Sequence, residues 1–396
     1  MSKRILQVFN RYRERGGEEK SAQRIFEHAS LDFSVERLWW DSRDWDAPSG
    51  PGKLGQLRRL FCNPDTCREF REKVEAFRPD VAVFHNIYPV GSPGLYREVR
   101  QLGVPVIQFI HNFRPFSVVG SLWTGERIEE ESLRRNYRAE VLAGTWQNSR
   151  LKSALFALLL KRLHASGDLD VVKRWVAISE FMREKFIEAG VPAERVVTLR
   201  HSWDARPAAG ETGEGDYYLF LSRLIPEKGV QTVLDAWQRL GERAPRLIIG
   251  GTGAMEAAVK KVAIQSDKIE YAGFVDGEKK AGLIAGCRAM LAPSIWWEPL
   301  GLVTYEAYDF GKPMIAAASG GLKETVIDCE TGLLFEAGNV DSLISAVQAM
   351  EKLSREERAT MGAKGREWLL READPAAWRK SFCSIVADVV EERAES

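Results

Sequence analysis

Short apolar runs alternate with amphipathic helical patterns along this chain, and the alternation starts afresh near Tyr217. An uninterrupted apolar run flanked by helices must be buried on both faces. That is the pattern of a parallel sheet covered by crossover helices. In the first half it predicts strands over 5–9, 35–39, 81–84, 106–110 and 175–178, with helices over 18–29, 66–77 and 93–101. In the second half it predicts strands over 218–221, 246–249, 269–271, 289–291 and 313–316. A last helix runs from Pro375 to about Arg393, with Trp378, Phe382 and Ile385 at helical spacing. At 396 residues the chain exceeds the usual span of one hydrophobic core, so two domains are expected. The segment 205–215 is small, polar and rich in glycine, and it reads as the linker. The expected division is 1–205, 206–374 and a closing helical segment 375–396. Two open parallel sheets place ligands at the carboxyl ends of their strands, here in a cleft where the domains face each other. The residues that directly follow strands therefore carry the functional argument.

Composition narrows the classes. Lys+Arg and Asp+Glu are both 56, a formal net charge of zero, which argues against a chain-wide basic face for nucleic acid. Five cysteines, an odd number, suit a reducing compartment; Cys62 and Cys67 lie close together without a second pair, so zinc is not expected. The apolar run 5–9 is too short for a signal peptide or an anchor, which makes the cytoplasm the expected location. One helical stretch, Arg150 to Leu163, carries cations at both ends of an apolar body. Core burial is the stronger reading, and weak peripheral binding at the inner membrane face is the second.

The most informative segment runs from Pro293 to Glu306. The strand at 289–291 leads into a loop with Glu298, Pro299 and Gly301, then into a helix bearing Glu306, a Glu-x7-Glu pattern. Free amides at a helix start favour an anion, while carboxylates accept hydrogen bonds from hydroxyl groups. An anion with hydroxyls is what a sugar nucleotide offers. Singly, each glutamate reads as a solvated surface carboxylate; jointly they do not.

Other strand ends follow suit. Gly16 and Gly17, after Arg15 and before Glu18, open the first helix with exposed amides. Two strands end in His-Asn, at His85-Asn86 and His111-Asn112. Strand 218–221 leads to Arg223 and Lys228, two cations five residues apart, suited to the charge that develops on a departing diphosphate. Glu227 is expected to orient Lys228 or to face solvent. Strand 246–249 ends in a turn with Gly251 and Gly253, and Phe274 follows strand 269–271.

Together these motifs resemble the retaining glycosyltransferases of family 4, which have the α/β GT-B fold: two Rossmann-like parallel-sheet domains with a cleft between them. The resemblance covers essentially the whole chain and is strongest from Tyr217 to about Phe335. It implies a retaining, metal-independent transfer from a nucleotide-diphosphate sugar to a hydroxyl of a carbohydrate or lipid-linked acceptor, in polysaccharide or glycoconjugate synthesis. No cofactor is implied; the sugar nucleotide is a co-substrate. His111, Arg223, Lys228 and Glu298 take the catalytic positions. Gly16, Gly17, Gly251, Gly253, Phe274, Leu300, Gly301, Leu302 and Glu306 take donor-binding ones. Ser319-Gly320-Gly321 fits a wall behind the donor. Two departures stand out: His201-Ser202-Trp203-Asp204 replaces an Asn-Gly pair, leaving His201 as a diphosphate contact or a surface residue, and Trp296-Trp297 replaces smaller side chains.

Three other readings remain. Asp44-Trp45-Asp46 and Asp168-Leu169-Asp170 fit an Asp-x-Asp metal pattern, although neither is expected directly after a strand. An epimerase or phosphorylase shares the fold. A non-catalytic sugar-nucleotide-binding protein would also keep the donor motifs.

Overall fold

The computed structural model describes residues 2–13, 16–45, 50–206 and 215–395. Arg15, Asp46 and most of the 205–215 segment lie outside the described residues. The chain forms two compact units. Unit 1 holds Met1–Thr124, Glu129–Ser202 and Pro375–Ser396; unit 2 holds Gly125–Ile128 and Trp203–Asp374.

Unit 1 is built on a six-stranded sheet. Its strands are β1 (Arg4–Arg11), β2 (Ser34–Asp41), β3 (Val81–Phe84), β4 (Val106–Ile110), β5 (Val172–Ala177) and β6 (Val196–Thr198). The order is β2-β1-β3-β4-β5-β6, every pair parallel. Strands β3 and β4 are buried along their whole length, as continuous apolar runs require. Strand β6 was not expected. Its three residues at the sheet edge are too few to show a period.

The helix Pro375–Glu395 belongs to this unit. Trp378, Phe382, Ile385, Val386 and Val389 form one face, which packs with Ile5, Ile25, Val81, Ile107, Phe109 and Val176. Spacings of three and four residues put them on a single stripe. Each such side chain contributes roughly 1.5–3 kcal/mol on leaving water. Arg379 adds a two-pronged ion pair to Asp32, both bonds at 2.7 Å.

The helix Arg150–Ala165 buries Phe156, Ala157, Leu159, Leu160 and Leu163. Leu151 and Leu158 stay exposed, beside exposed Lys152, Lys161 and Arg162. Among the described residues no helix is long and apolar enough to cross a membrane.

Unit 2 repeats the layering. Its strands are β7 (Tyr217–Leu221), β8 (Arg246–Gly250), β9 (Ile269–Gly273), β10 (Ala289–Ala292), β11 (Met314–Ala317) and β12 (Gly332–Phe335). The order is β12-β11-β10-β7-β8-β9, again all parallel. Strand β12 also escaped the sequence reading, because it opens on a glycine that reads as a turn. The chain runs outward from β7 to β9 on one side, then returns to β10 and runs outward on the other. The order therefore reverses between β7 and β10, and in unit 1 between β1 and β3. Such reversal points leave a crevice at the carboxyl ends of the strands, because the two crossover helices depart to opposite faces.

Candidate functional site

In unit 2 the segments leaving the reversal point are 222–229 after β7 and 293–301 after β10. Backbone hydrogen bonds stitch them together. Ile295 N donates to Glu227 O at 3.0 Å, and Gly321 N donates to Glu298 O at 2.7 Å, bringing in the loop after β11. The turn after β8 joins through Leu224 N to Thr252 O at 2.8 Å. Gly251 sits in that turn at φ +135°, where a Cβ would lie 1.8 Å from Ser222 O, so only glycine permits this approach. Gly253 lies in the same turn.

Lys228 and Glu298 meet directly. Glu298 is buried, and its Oε1 accepts from Lys228 Nζ at 2.5 Å, Ser294 Oγ at 2.5 Å and Trp296 Nε1 at 3.1 Å. The Lys228 ammonium also sits 4.9 Å from the Trp296 ring centroid, a cation–π contact. Burial alone would push the Glu298 carboxyl up. The Lys228 charge and the three donors outweigh it and hold the group below the usual carboxylate range. Glu298 Oε2 takes no hydrogen bond from the described residues. Glu227 does not orient Lys228 through its side chain; its carbonyl ties the two loops, and Glu298 is the partner of the lysine.

Arg223 is exposed, and its guanidinium finds no partner among the described residues. Glu306 lies in the helix Leu302–Asp309, where its Oε1 accepts from Lys280 Nζ at 2.6 Å. Gly301 caps that helix at φ +90° without any side-chain cap, flanked by buried Leu300 and half-buried Leu302. Phe274, directly after β9, is 71% exposed. The sequence reading missed Ser294 and Lys280, and it noted Trp296 without its bond to Glu298. Ser294 and Trp296 lie four and two residues before Glu298, within reach of a spacing argument; Lys280 comes from the separate helix Gly277–Gly286, which no local spacing reveals.

Unit 1 holds a pocket at the carboxyl ends of β3 and β4, lined by Glu18, His85, Asn86, Tyr88, His111 and Arg114 among others. Gly16 caps the helix Gly17–Ala29 in extended backbone. A Cβ on Gly16 would meet nothing within 4 Å, so no internal packing among the described residues demands a glycine there. Glu18 accepts from Tyr12 Oη at 2.8 Å, Asn112 Nδ2 at 3.1 Å and Asn86 N at 3.2 Å. Removal from water nevertheless pushes its carboxyl up to about 7, with Tyr12, Asn86, Arg114 and Asn112 opposing.

Three imidazoles form a row in this unit, and two of them, His85 and His111, line the pocket with Glu18. The ring centroids of His85 and His111 lie 5.1 Å apart and those of His111 and His201 5.3 Å, each pair near parallel. Burial pushes His111 down to about 3; burial, then the neighbouring imidazole, drives His85 and His201 well below the ordinary value. All three are neutral at neutral pH. His201 is thus not a surface residue: it is 4% exposed and packed on His111.

Of the two Asp-x-Asp segments, the first sits differently than expected and the second lies in a connector, as expected. Asp44 lies in the turn Ser42–Trp45 directly after β2, which runs further than the sequence suggested, to Asp41. Asp168 is buried and ion-paired with Arg97 and Arg100 at 3.3 and 3.6 Å. Among the described residues no group of three acidic, histidine or cysteine side chains is arranged to hold a metal.

Two parallel six-stranded sheets, each reversing its strand order once, define the GT-B class, and comparison with known proteins agrees. Sucrose-phosphate synthase from Thermosynechococcus elongatus superposes with a TM-score of 0.72 at 17% identity, covering 98% of this chain and 100% of that one. Anabaena HepE in complex with UDP superposes with a TM-score of 0.66 at 16% identity, covering 97% and 100%. Residues 12–200 match the glycosyl transferase 4-like domain, and residues 202–368 match glycosyl transferases group 1. The chain belongs to these family-4-like glycosyltransferases. The GDP-mannose-dependent alpha-(1-6)-phosphatidylinositol monomannoside mannosyltransferase of Mycobacterium tuberculosis is 31% identical over 226 residues, 51% of this chain. The match spans 57% of that relative's length.

Proposed function

We propose that this protein transfers a glycosyl group from a nucleotide-diphosphate sugar to a hydroxyl acceptor, with retained anomeric configuration and without a metal. The observation that carries the reading is the Lys228–Glu298 pair, built into stitched loops at the reversal point of the unit 2 sheet. There a cation is held in place by a carboxylate that keeps its second oxygen open. Lys228 and Arg223, which has no partner among the described residues, meet the diphosphate, where negative charge grows as the glycosidic bond breaks. Glu298 Oε2 accepts from a hydroxyl of the donor sugar, and Glu306 from the ribose. The amides around Leu300, Gly301 and Leu302 serve the phosphate or sugar, since the first turn of a helix leaves its N–H groups without internal partners. Gly251, Gly253 and Phe274 line the nucleotide, with the exposed Phe274 ring free to stack.

On unit 1, the open space over Gly16 leaves room for a phosphate on the helix start it shares with Gly17. His111 aligns the transferred sugar. The leaving phosphate oxygen takes the acceptor's proton on the face it departs from, so the new bond forms on that same face. No protein nucleophile is needed. The product class is a polysaccharide or glycoconjugate, made in the cytoplasm. Peripheral binding through Leu151, Leu158 and their flanking cations is tested by flotation with anionic liposomes, where absence of binding at low salt removes it.

The deciding experiment incubates the protein with a panel of uridine, guanosine and adenosine diphosphate sugars and hydroxyl acceptors. The panel spans these bases because the mycobacterial relative is named for GDP-mannose and HepE was solved with UDP. Product retaining the donor's anomeric configuration, formed at full rate in excess chelator, is expected. An inverted product would sink the retaining reading, and abolished activity in chelator would sink metal independence.

A further inference from the structure

The Gln7 side chain is buried in β1 beneath the unit 1 pocket, and none of the chemistry above uses it. Its Nε2 lies 2.8 Å from Ala22 O and 2.9 Å from His85 Nε2. Ala22 O can only accept, so the atom facing it is the amide nitrogen; turning the amide over would set oxygen against oxygen. An amide nitrogen carries two protons and accepts none. The second proton therefore goes to His85 Nε2, which must present its lone pair. A neutral His85 then carries its proton on Nδ1, which lies 2.8 Å from His111 Nε2. His111 Nε2 accepts, and its own proton is placed on Nδ1. That Nδ1 is buried and has no hydrogen-bond partner among the described residues. The His85 and His111 rings lie near one plane, 24° apart with centroids at 5.1 Å, the edge-to-edge arrangement an in-plane hydrogen bond requires, and Phe109 packs on His85 at 5.3 Å.

We propose that Gln7, acting through His85, locks His111 in the Nδ1–H form, so that the pocket is offered a hydrogen-bond donor and never a lone pair. The ligand group it recognises is an acceptor oxygen, a sugar hydroxyl or ether, in keeping with the transferase reading on which the role of His111 rests. Gln7 and His85 are positioning residues; neither need touch substrate. An imidazole free to choose its tautomer would present a lone pair part of the time, and would then repel the oxygen it has to hold. The unpartnered Nδ1–H is the cost of that readiness, since a buried donor without an acceptor is destabilising until a ligand arrives.

Nitrogen-15 NMR of the imidazoles in the full, unliganded chain at neutral pH reads the tautomers without reference to activity. His111 and His85 are both expected as Nδ1–H, with resonances assigned from single histidine variants. Gln7→Leu should shift both rings towards mixed tautomers and lower kcat roughly 10–100-fold, the range for outer partners that orient a ligating imidazole. If Gln7→Leu does not fold, Gln7→Met keeps the length and removes the same protons. A second readout uses shape: the asparagine amide nitrogen overlays Nδ1 of histidine, whereas that of glutamine overlays Nε2. His111→Asn should retain more transfer activity than His111→Gln. Wild-type His111 found as Nε2–H, or unchanged tautomers in both Gln7 variants, would overturn the proposal. A chain with the expected tautomers but no transfer from any donor would uphold the relay and reject the transferase reading, so the two failures are distinct.

Discussion

Lys228 Nζ lies 2.5 Å from Glu298 Oε1, and this contact joins the loop after β7 to the loop after β10 across the point where the sheet order reverses. Both side chains are largely withdrawn from water, at 17% and 11% exposure. Lys228→Met would strand a buried carboxylate, a change that costs roughly 3–5 kcal/mol. It would also lower turnover roughly 10²–10³-fold, the usual loss for one fixed donor at a site of developing charge. Thermal unfolding and initial rates measure the two effects. Activity within about threefold of wild type rejects the diphosphate assignment.

The same pair sets an acid limit. Glu298 titrates below its ordinary value of 4.5 in the folded chain, so its contribution to stability is present above that value and lost as pH falls through the lower, folded one. The stability advantage of wild type over Glu298→Gln should therefore hold from neutral pH down to about 4.5 and shrink below it. An advantage unchanged at lower pH would mean that the carboxylate charge is not what stabilises these loops.

The imidazole row acts in a higher window. His111 is depressed from 6.5 to about 3, and His85 and His201 fall in the same direction. Stability from neutral buried imidazoles is present above 6.5 and lost as pH falls towards 3, because the unfolded chain takes up the protons first. The melting temperature should drop steadily below pH 6.5, and less steeply in His111→Asn, which removes one of these sites. Equal slopes would contradict the burial of His111.

Glu18 carries the opposite sign. Its carboxyl is raised from 4.5 to about 7, so its contribution is full below 4.5 and lost as pH rises to about 7. Relative to wild type, Glu18→Gln should gain stability between pH 5 and pH 8. A pH–rate profile of kcat/KM should show an ionisation near 7 that the variant lacks. A variant profile that keeps the ionisation assigns it elsewhere.

Two glycines separate folding from binding. Gly301 stands at φ +90° with Leu322 Cδ2 placed 2.5 Å from any added Cβ, so Gly301→Ala should cost roughly 1–3 kcal/mol. Gly16 has extended backbone and free space, so Gly16→Ala should barely move the melting temperature while weakening donor binding. Calorimetry and nucleotide titration test both. Unchanged binding by Gly16→Ala would remove that glycine from the site.

Much of this molecule was legible in local pattern. Continuous apolar runs announced the central parallel strands, since a strand buried on both faces has no polar face to interrupt it. Two of the four edge strands escaped notice: β6 is three residues long and β12 opens on a glycine, and pairing with a neighbour, not local periodicity, makes them strands. Strand ends also supplied the candidate site residues, because doubly wound sheets put ligands there. Partners were another matter. Glu227 sat next to Lys228 in the chain, yet the lysine turned to Glu298, seventy positions away.

The sequence by itself determined the two-sheet plan, the strand ends that carry the candidate residues and the family to which the chain belongs, because these depend on residue type and spacing along a single segment. Tertiary structure alone decided the charge and proton arrangement within each unit: the Lys228–Glu298 and Lys280–Glu306 pairs in unit 2, and in unit 1 the raised Glu18 and the row of His85, His111 and His201. Electrostatic coupling and loss of water act through space over a few ångströms, and distant segments reach that range only once the sheets have formed.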